Sequence, residues 1–183
     1  RKNFMPEKML FGETIQLSHI DSIDTYPKDI SQMFRWMINL NLPQKPVMLD
    51  VGANIGMFSL SYASIFKGAE IHCFEPVSFI YDYLNQNLIN NPNLSSKIQA
   101  YNYGMSNCFE RKQLSIPIPE QHERYSKELD IRLYSIHGKG KEKFEAQFMP
   151  IDQWVDQLKI RDLNFIKIDV EGYEFAVLEG ATK

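Results

Sequence analysis

An aspartate and two glycines follow one another with the spacing D-x-G-x-x-x-G, at Asp50, Gly52 and Gly56. The nearly apolar run 47–51 predicts a buried parallel strand, and the residues after Gly56 predict an amphipathic helix. The glycines allow a tight turn and let a ligand approach the main chain without meeting a Cβ atom. Ligands of open α/β sheets lie outside the carboxyl ends of the strands. The turn therefore predicts a cofactor site, with strand-to-helix packing alone as the alternative.

Asp50 distinguishes two classes of ligand for this turn. A dinucleotide would put its pyrophosphate beside the carboxylate, and like charges repel strongly where water screens them poorly. S-adenosylmethionine would instead bring an ammonium and a sulfonium, which Asp50 attracts directly or through water. The spacing also misses the dinucleotide pattern G-x-G-x-x-G. The turn thus favours the methyl donor, and an NAD-linked oxidoreductase is a less favoured alternative.

A second acid, Glu75, follows the next apolar stretch, residues 69–74. It comes roughly 20 residues after the glycine turn, where the second strand of such a unit places a carboxylate at the ribose hydroxyls. Its two oxygens can accept both hydroxyl protons of a ribose. A solvated acid at a strand end is the simpler alternative. Pro76 then stops the strand and suits the start of a helix.

Asp169 and Glu171 follow a third apolar run, residues 163–168. If this strand lies beside the first, its carboxyl end points into the same crevice, and both acids flank the reacting methyl group. We expect Asp169 to position the reactants, and Asp169, Glu171 or His137 to act as the base. The alternatives are acids that cap the following helix, or a pair that holds a divalent cation with an acceptor oxygen. The residues form no complete metal site.

The remaining pattern alternates helices and strands, which favours a doubly wound, mostly parallel α/β sheet. Residues 1–45 are interpreted as an N-terminal extension and cap helix, and residues 46–183 as the main domain. The charged stretch 119–145 is expected to be an insertion that acts as a lid or acceptor loop, or a solvated surface excursion. The expected elements are a helix from Asp29 to Leu40, a helix over Phe79–Leu88, a strand over Ile98–Tyr103, an extended segment over Gln113–Ile118 and a helix over Asp152–Leu158.

The composition fits a single globular domain with an adequate core. The chain has 183 residues, of which 44% are hydrophobic, and a formal net charge of −3. This charge gives no basic field for nucleic acid. No apolar run reaches the roughly 18 residues of a membrane span. Cys73 and Cys108 have no metal-binding spacing and are interpreted as reduced thiols, which predicts a cytoplasmic protein.

Four motifs together carry a family resemblance: DVGANIGMFSL at 50–60, FEP at 74–76, YGMS at 103–106 and FIKIDVEGYE at 165–174. In this order they closely resemble the FkbM family of S-adenosylmethionine-dependent methyltransferases, over about residues 46–181. The resemblance implies a Rossmann-like class I methyltransferase fold and methyl transfer to a hydroxyl of a sugar or natural product. The implied cofactor-binding residues are Asp50, Gly52, Asn54, Gly56, Glu75, Gly104 and Met105.

The chain also departs from the family pattern. Gly104 replaces the usual alanine, and Asn107 replaces the usual acid after it. The family usually continues past Gly180 and Ala181 into further strands, so we expect the strand before Asp169 to lie at an exposed sheet edge. A homo-oligomer or a partner would then cover this edge. A catalytically silent interaction domain with the same fold is the other alternative.

Overall fold

The computed structural model describes residues 7–10, 13–17, 34–116 and 142–183 of the chain. Strands and helices alternate through most of this part, as the pattern of apolar residues predicts. In chain order the elements are β1 (Glu7–Leu10), β2 (Glu13–Gln16), β3 (Val47–Val51), α1 (Met57–Ile65), β4 (Glu70–Phe74), α2 (Ser78–Asn90), α3 (Pro92–Ser95), β5 (Ile98–Tyr101), β6 (Gly104–Met105), β7 (Glu110–Ile116), β8 (Glu142–Met149), α4 (Ile151–Leu158), β9 (Phe165–Ile168) and α5 (Glu174–Glu179).

The central sheet has four parallel strands in the order β5-β4-β3-β9. Asp50 on β3 pairs in register with Cys73 on β4 and with Lys167 on β9. The strand before Asp169 is therefore the direct neighbour of the first strand, as the sequence predicted. This arrangement confirms the predicted doubly wound, mostly parallel α/β fold. It also brings the carboxyl ends of β3, β4 and β9 to one edge of the sheet.

Helices cover both faces of this sheet because the side chains of each strand alternate between the faces. On one face, Met48 and Ile71 belong to a buried cluster that includes α1 and α2. On the other face, Leu49 and Phe74 pack in a second cluster with Trp154 of α4 and residues of α5. Burial of apolar surface on both faces explains the nearly continuous apolar runs of the central strands.

A smaller sheet of β6, β8 and β7 follows the central one. Strand β6 is parallel to β8, and β7 is antiparallel to it. Aromatic side chains of β8 pack against two segments that follow strands of the central sheet. The ring centroids of Phe144 and Phe79 of α2 are 5.1 Å apart, and those of Phe148 and Tyr173 are 6.1 Å apart. The small sheet therefore connects the helix after β4 with the segment after β9.

The N-terminal part adds two short strands and a helical segment. Strands β1 and β2 pair antiparallel, and Gln16 exchanges two hydrogen bonds with Asn91 at the end of α2. Residues 34–38 are helical, in agreement with the predicted helix, whose residues 29–33 lie outside the described part. Phe34 stacks on Phe58 of α1 at 4.9 Å. The apolar stripe of this helix thus packs on α1.

The boundaries of several elements differ from the sequence prediction, among them that of β7, which begins at Glu110 rather than at Gln113. Strand β5 ends at Tyr101 rather than Tyr103, because the chain crosses to the small sheet at Gly104. Helix α2 begins at Ser78, two residues after Pro76. The expected insertion 119–145 lies outside the described residues as far as position 141, His137 included, and its last residues begin β8.

Strand β9 lies at the end of the central sheet within the described residues, and all four of its side chains are half-buried. Within the described residues, β9 pairs with β3 alone. Near it, Phe175 and Leu178 of α5 are 75% and 56% exposed. Among the described helices, none is long and apolar enough to span a membrane.

The burial of His72 predicts that the stability of the fold depends on pH. Its ring is 2% exposed, and Tyr101 Oη and Glu70 Oε1 each lie 3.1 Å from a ring nitrogen. Burial lowers the pKa of His72 from its usual 6.5, against the opposing effect of Glu70. The unfolded chain therefore binds a proton at a pH where the folded chain does not. The neutral, buried His72 contributes its full share of the free energy of unfolding above pH 6.5, and this share is lost as the pH falls through the lower pKa of the folded chain.

We expect the urea midpoint of the wild type to fall between about pH 7.5 and about pH 5, and His72→Gln to reduce this fall because it removes the titrating group. Urea titrations followed by circular dichroism measure both. An equal fall in wild type and variant would show that other groups control the pH dependence.

Candidate functional site

The turn between β3 and α1, residues 52–56 and here called the donor turn, has a conformation that requires glycine at two positions. Gly52 and Gly56 have φ angles of 76° and 83°, and Asn54 between them has φ 52°. A Cβ at Gly52 would collide with the carbonyl oxygen of Asp169, and one at Gly56 with the side chain of Leu84. The donor turn is therefore tightly packed between the segment after β9 and helix α2.

The backbone N–H groups of residues 52–56 all donate hydrogen bonds inside the protein. Those of Gly52 and Ala53 donate to Phe74 O, and that of Gly56 to Ala53 O. The N–H of Asn54 donates to Glu75 Oε2, and that of Ile55 to the Asn54 side chain. A pyrophosphate needs free N–H groups in such a turn. The donor turn offers none at residues 52–56, which argues against a dinucleotide there.

Asp50 lies beneath the donor turn and is fully buried. Ser59 Oγ donates to its Oδ2 at 2.6 Å, and Lys167 Nζ lies 3.2 Å from its Oδ1. Within the described part of the chain, Oδ1 receives no well-aligned hydrogen bond, so the contact with Lys167 is an ion pair. Cys73 donates from Sγ to Ser59 at 3.0 Å, and burial raises the pKa of its thiol. Cys73 is thus part of the core, as predicted.

Lys167 is a site residue that the sequence analysis missed. Its Nζ donates to Gly52 O at 2.7 Å and lies 3.7 Å from Asp169 Oδ2, in addition to its contact with Asp50. The available signal was a single lysine inside the apolar run 165–168. Such a lysine must find an acceptor or a counter-ion when its strand is buried. Here it connects β9 to the donor turn.

Glu75 is fully buried at the end of β4. Its Oε1 accepts from the Val77 N–H at 2.9 Å, and its Oε2 from the Asn54 N–H at 3.0 Å. Its main-chain carbonyl accepts from Asn102 Nδ2 at 2.9 Å. The carboxylate is therefore held against the donor turn rather than solvated at a strand end. Asn102, which the sequence analysis did not select, joins the end of β5 to this position.

Gly104 and Met105 form β6 and are both buried. A Cβ at Gly104 would collide with the ring of Phe148, its partner on β8. This contact explains why position 104 holds a glycine in this chain. Met105 is 1% exposed and packs with Leu49 and Phe74 in the second core cluster. The Met105 side chain is therefore part of the core.

Asp169 and Glu171 follow β9 at the same edge of the sheet as the donor turn. The Asp169 side chain is 67% exposed. Glu171 has φ 52°, and Gly172 after it has φ 95°. Partial burial and the carboxylates of Asp169 and Glu174 raise the pKa of Glu171, against the opposing effect of Lys167. The segment after β9 therefore presents several carboxylates, and the raised pKa makes Glu171 a stronger base than an ordinary glutamate.

A polar cluster lies between the small sheet and Tyr173. Glu110 Oε1 accepts from Ser106 at 2.6 Å, from Lys112 at 2.9 Å and from Tyr173 at 3.2 Å, and Lys112 also donates to Tyr173 Oη. Partial burial would raise the pKa of Glu110, but these hydrogen bonds outweigh it and hold the pKa below its usual value. The cluster fixes Tyr173 at the start of α5. The alternation of Glu110 and Lys112 along β7 was the only sequence signal for it.

A cavity of about 610 Å³ lies at the opposite edge of the sheet, near the amino ends of β3 and β4. Its lining includes Lys45, Glu70, Lys159 and Arg161. None of the predicted site residues contributes to it. Within the described residues, no group of three or more His, Cys, Asp and Glu side chains has the arrangement of a metal site.

Sequence comparison identifies the family. The sequence profile of the methyltransferase FkbM domain matches residues 50–183. The chain therefore belongs to the FkbM methyltransferase family, which confirms the family predicted from the motifs. The crystal structure of methyltransferase FkbM from Methylobacillus flagellatus KT has a similar fold, with a TM-score of 0.51 and 24% identity over 78% of this chain.

Two curated proteins are similar in sequence. Methyltransferase sdnD from Sordaria araneosa is 29% identical over 167 residues, and AMB antimetabolite synthetase AmbE from Pseudomonas aeruginosa is 28% identical over 168 residues. Each match covers 76% of this chain. The matched region spans 62% of sdnD, 8% of AmbE and 30% of the Methylobacillus structure.

Two glycines provide a matched test of the close packing at the donor turn. Gly52 and Gly172 both have positive φ, but only a Cβ at Gly52 meets other atoms; at Gly172 nothing lies within 4 Å. We expect Gly172→Ala to lower the free energy of unfolding by about 1–2 kcal/mol through backbone strain alone, and Gly52→Ala by several kcal/mol through strain plus collision. Chemical denaturation measures both. Equal losses would show that the contact between Gly52 and Asp169 contributes nothing.

Proposed function

We propose that the chain is an S-adenosylmethionine-dependent O-methyltransferase that acts on a hydroxyl of a sugar or natural product. The observation that carries the proposal is the donor turn, whose N–H groups at residues 52–56 are occupied internally. Glu75 and Asp169 lie beside this turn, and Lys167 is the counter-ion of the buried Asp50. Such a turn suits a ligand with a sulfonium and an ammonium better than one with phosphates. The FkbM family assignment supports the same cofactor.

The residues present fit this cofactor. Glu75 is held beside the donor turn by two N–H donors, and a carboxylate at this place is the group that we propose accepts from the ribose hydroxyls. The exposed Asp169 carboxylate offers an acceptor for the donor's ammonium. In our proposal the donor turn residues Gly52, Asn54 and Gly56 form the floor of the site, with Asp50 beneath them, and the main chain of Gly104 and Met105 borders the adenine.

Alignment of the reactants is the main task of the protein in this reaction. When bound, S-adenosylmethionine supplies a methyl group that its sulfonium makes a strong electrophile. Glu75 would hold the ribose of the methyl donor against the donor turn. The methyl carbon would then have a fixed position with which an acceptor oxygen can align. Rigid packing at Gly52 and Gly56 limits the motion of this surface.

Glu171 is the proposed general base. A protonated hydroxyl is a weak nucleophile, so a nearby carboxylate would take its proton as the new carbon–oxygen bond forms. The bond between the methyl carbon and the sulfur would break in the same step, and the donor would leave as the neutral thioether. The pKa of Glu171 is raised by partial burial and by the carboxylates of Asp169 and Glu174, which makes its carboxylate a better proton acceptor. Its exposed position after β9 leaves it accessible to an acceptor molecule. Asp169 keeps a positioning role.

A binding experiment tests the cofactor. We expect isothermal titration to detect one S-adenosylhomocysteine per chain and no NAD, because the N–H groups of residues 52–56 already donate inside the protein and leave none for a pyrophosphate. Glu75→Gln is expected to weaken S-adenosylhomocysteine binding about 10- to 100-fold, since it weakens hydrogen bonds to a charged carboxylate. Glu70→Gln, at the other end of β4, is the matched control and should bind normally. Binding of NAD instead would revive the oxidoreductase alternative.

A kinetic experiment tests the proposed base, once a screen of sugar and polyketide hydroxyls with labelled methyl donor has found an acceptor. Below the raised pKa of Glu171 its carboxyl is protonated and cannot accept a proton, so the rate should fall with decreasing pH through that pKa. Glu171→Gln should lower kcat about 10²- to 10⁴-fold, leave KM nearly unchanged and remove this acid limb. Glu145→Gln on β8 is the control. An unchanged pH profile in Glu171→Gln would exclude Glu171 as the base. No turnover with any acceptor by a chain that binds the donor would favour the silent interaction domain.

A further inference from the structure

The contacts of Lys167 extend from the core to the surface. At the buried end, its Nζ lies 3.2 Å from Asp50 Oδ1 and donates to Gly52 O at 2.7 Å. At the open end lies Asp169, whose Oδ2 is 3.7 Å from the same Nζ. The lysine side chain is 14% exposed and that of Asp169 is 67% exposed. A positive and a negative group thus stand side by side at the rim of the donor turn.

The two ends of this chain of contacts differ in strength. An ammonium has three N–H donors. Here Nζ donates to the Gly52 carbonyl at 2.7 Å, and it lies 3.2 Å from Asp50 Oδ1 as an ion pair without an aligned hydrogen bond. The separation of 3.7 Å from Asp169 exceeds a hydrogen bond, so no N–H donor is committed to that carboxylate. Because Asp169 is largely exposed, its carboxylate can turn toward solvent or toward a ligand. The pair can therefore open at small cost.

The charges around Lys167 show what kind of ligand would suit this place. Asp169 and Glu171 lie on the solvent side, and partial burial, Asp169 and Glu174 together raise the pKa of Glu171. A ligand with positive charge alone would be attracted by these acids and repelled by the lysine. A zwitterion with an α-carboxylate and an α-ammonium on one carbon would match both members of the pair.

We propose that Lys167 and Asp169 bind the α-amino-acid end of the methyl donor, Lys167 through the donor's carboxylate and Asp169 through its ammonium. This inference rests on the proposed function, since it concerns the same cofactor. It changes the role of Asp50: the buried carboxylate does not meet the ammonium but holds Lys167 in position from below. The attraction that the sequence assigned to Asp50 is exerted by Asp169 at the surface.

The alternative is that Lys167 serves only as the counter-ion of Asp50 and as a link from β9 to the donor turn. Both roles use the same two buried contacts, so the loss of Lys167 alone cannot separate them. The two roles predict different effects of the variants on the affinity for different ligands. Only the proposed role distinguishes a ligand that carries an amino-acid group from one that lacks it.

The experiment compares two ligands by isothermal titration, S-adenosylhomocysteine and 5′-methylthioadenosine, which keeps the adenosine and the sulfur but lacks the amino acid. We expect Asp169→Asn and the double variant Asp50→Asn with Lys167→Met each to weaken S-adenosylhomocysteine binding at least about 10-fold, which is the usual effect of losing a charge-assisted hydrogen bond. Binding of 5′-methylthioadenosine should stay unchanged in both. The double variant removes both buried charges together, so it avoids an uncompensated carboxylate in the core.

Two controls accompany these variants. Lys97→Met removes an exposed lysine at the amino end of β5, far from the donor turn, and should leave both affinities unchanged. Retained binding of 5′-methylthioadenosine shows that a variant has folded. Lys167→Arg keeps the positive charge and should keep most of the preference for S-adenosylhomocysteine.

The outcomes separate this inference from the proposed function. Equal weakening of both ligands, or no weakening of either, in Asp169→Asn and in the double variant would overturn the inference while the cofactor assignment stands. Failure of the wild type to bind either ligand would overturn both. Selective loss of S-adenosylhomocysteine binding supports the inference.

Discussion

The ion pair between Lys167 and Asp50 is the interaction on which the site depends. The two residues face each other in register on neighbouring strands, with Nζ and Oδ1 3.2 Å apart. A carboxylate in the core is costly unless a counter-ion and hydrogen bonds accompany it, and loss of one partner from such a pair typically costs about 3–5 kcal/mol. Lys167 also donates a hydrogen bond to Gly52 O, so the same ammonium that neutralises Asp50 also holds the start of the donor turn.

The donor turn packs closely against two neighbouring segments. A Cβ at Gly52 would collide with the main chain of Asp169, and a Cβ at Gly56 would collide with the Leu84 side chain of α2. Asn87 of α2 donates to Ile55 O at 2.8 Å in the buried interior. The donor turn is thereby held by β9 on one side and by α2 on the other. A surface held in this way needs little reorganisation on binding, which is a favourable condition for alignment of two reactants.

The small sheet links two separate parts of the carboxyl edge. Phe144 contacts the start of α2, while Phe148 contacts Tyr173 after β9. The polar cluster of Ser106, Glu110, Lys112 and Tyr173 strengthens the second link. As a result, the segment that carries Asp169 and Glu171 is fixed at both of its ends, at the donor turn and at the small sheet. The carboxylates between these ends keep their exposure.

The sequence by itself determined the order of the elements and the family. Apolar runs of strand length, interrupted by helical periodicity, specify a parallel sheet because strands buried on both faces must be apolar throughout. It also located Asp50, Glu75 and Asp169 at strand ends, since their positions follow directly from those runs.

Only the tertiary structure decided what these acids contact. Lys167 is about 115 residues from its partner Gly52, and the pairing of β9 with β3 alone brings them together. The burial of Asp50 and of Glu75 likewise depends on packing between elements distant in sequence, and residue types and local spacing do not encode such contacts.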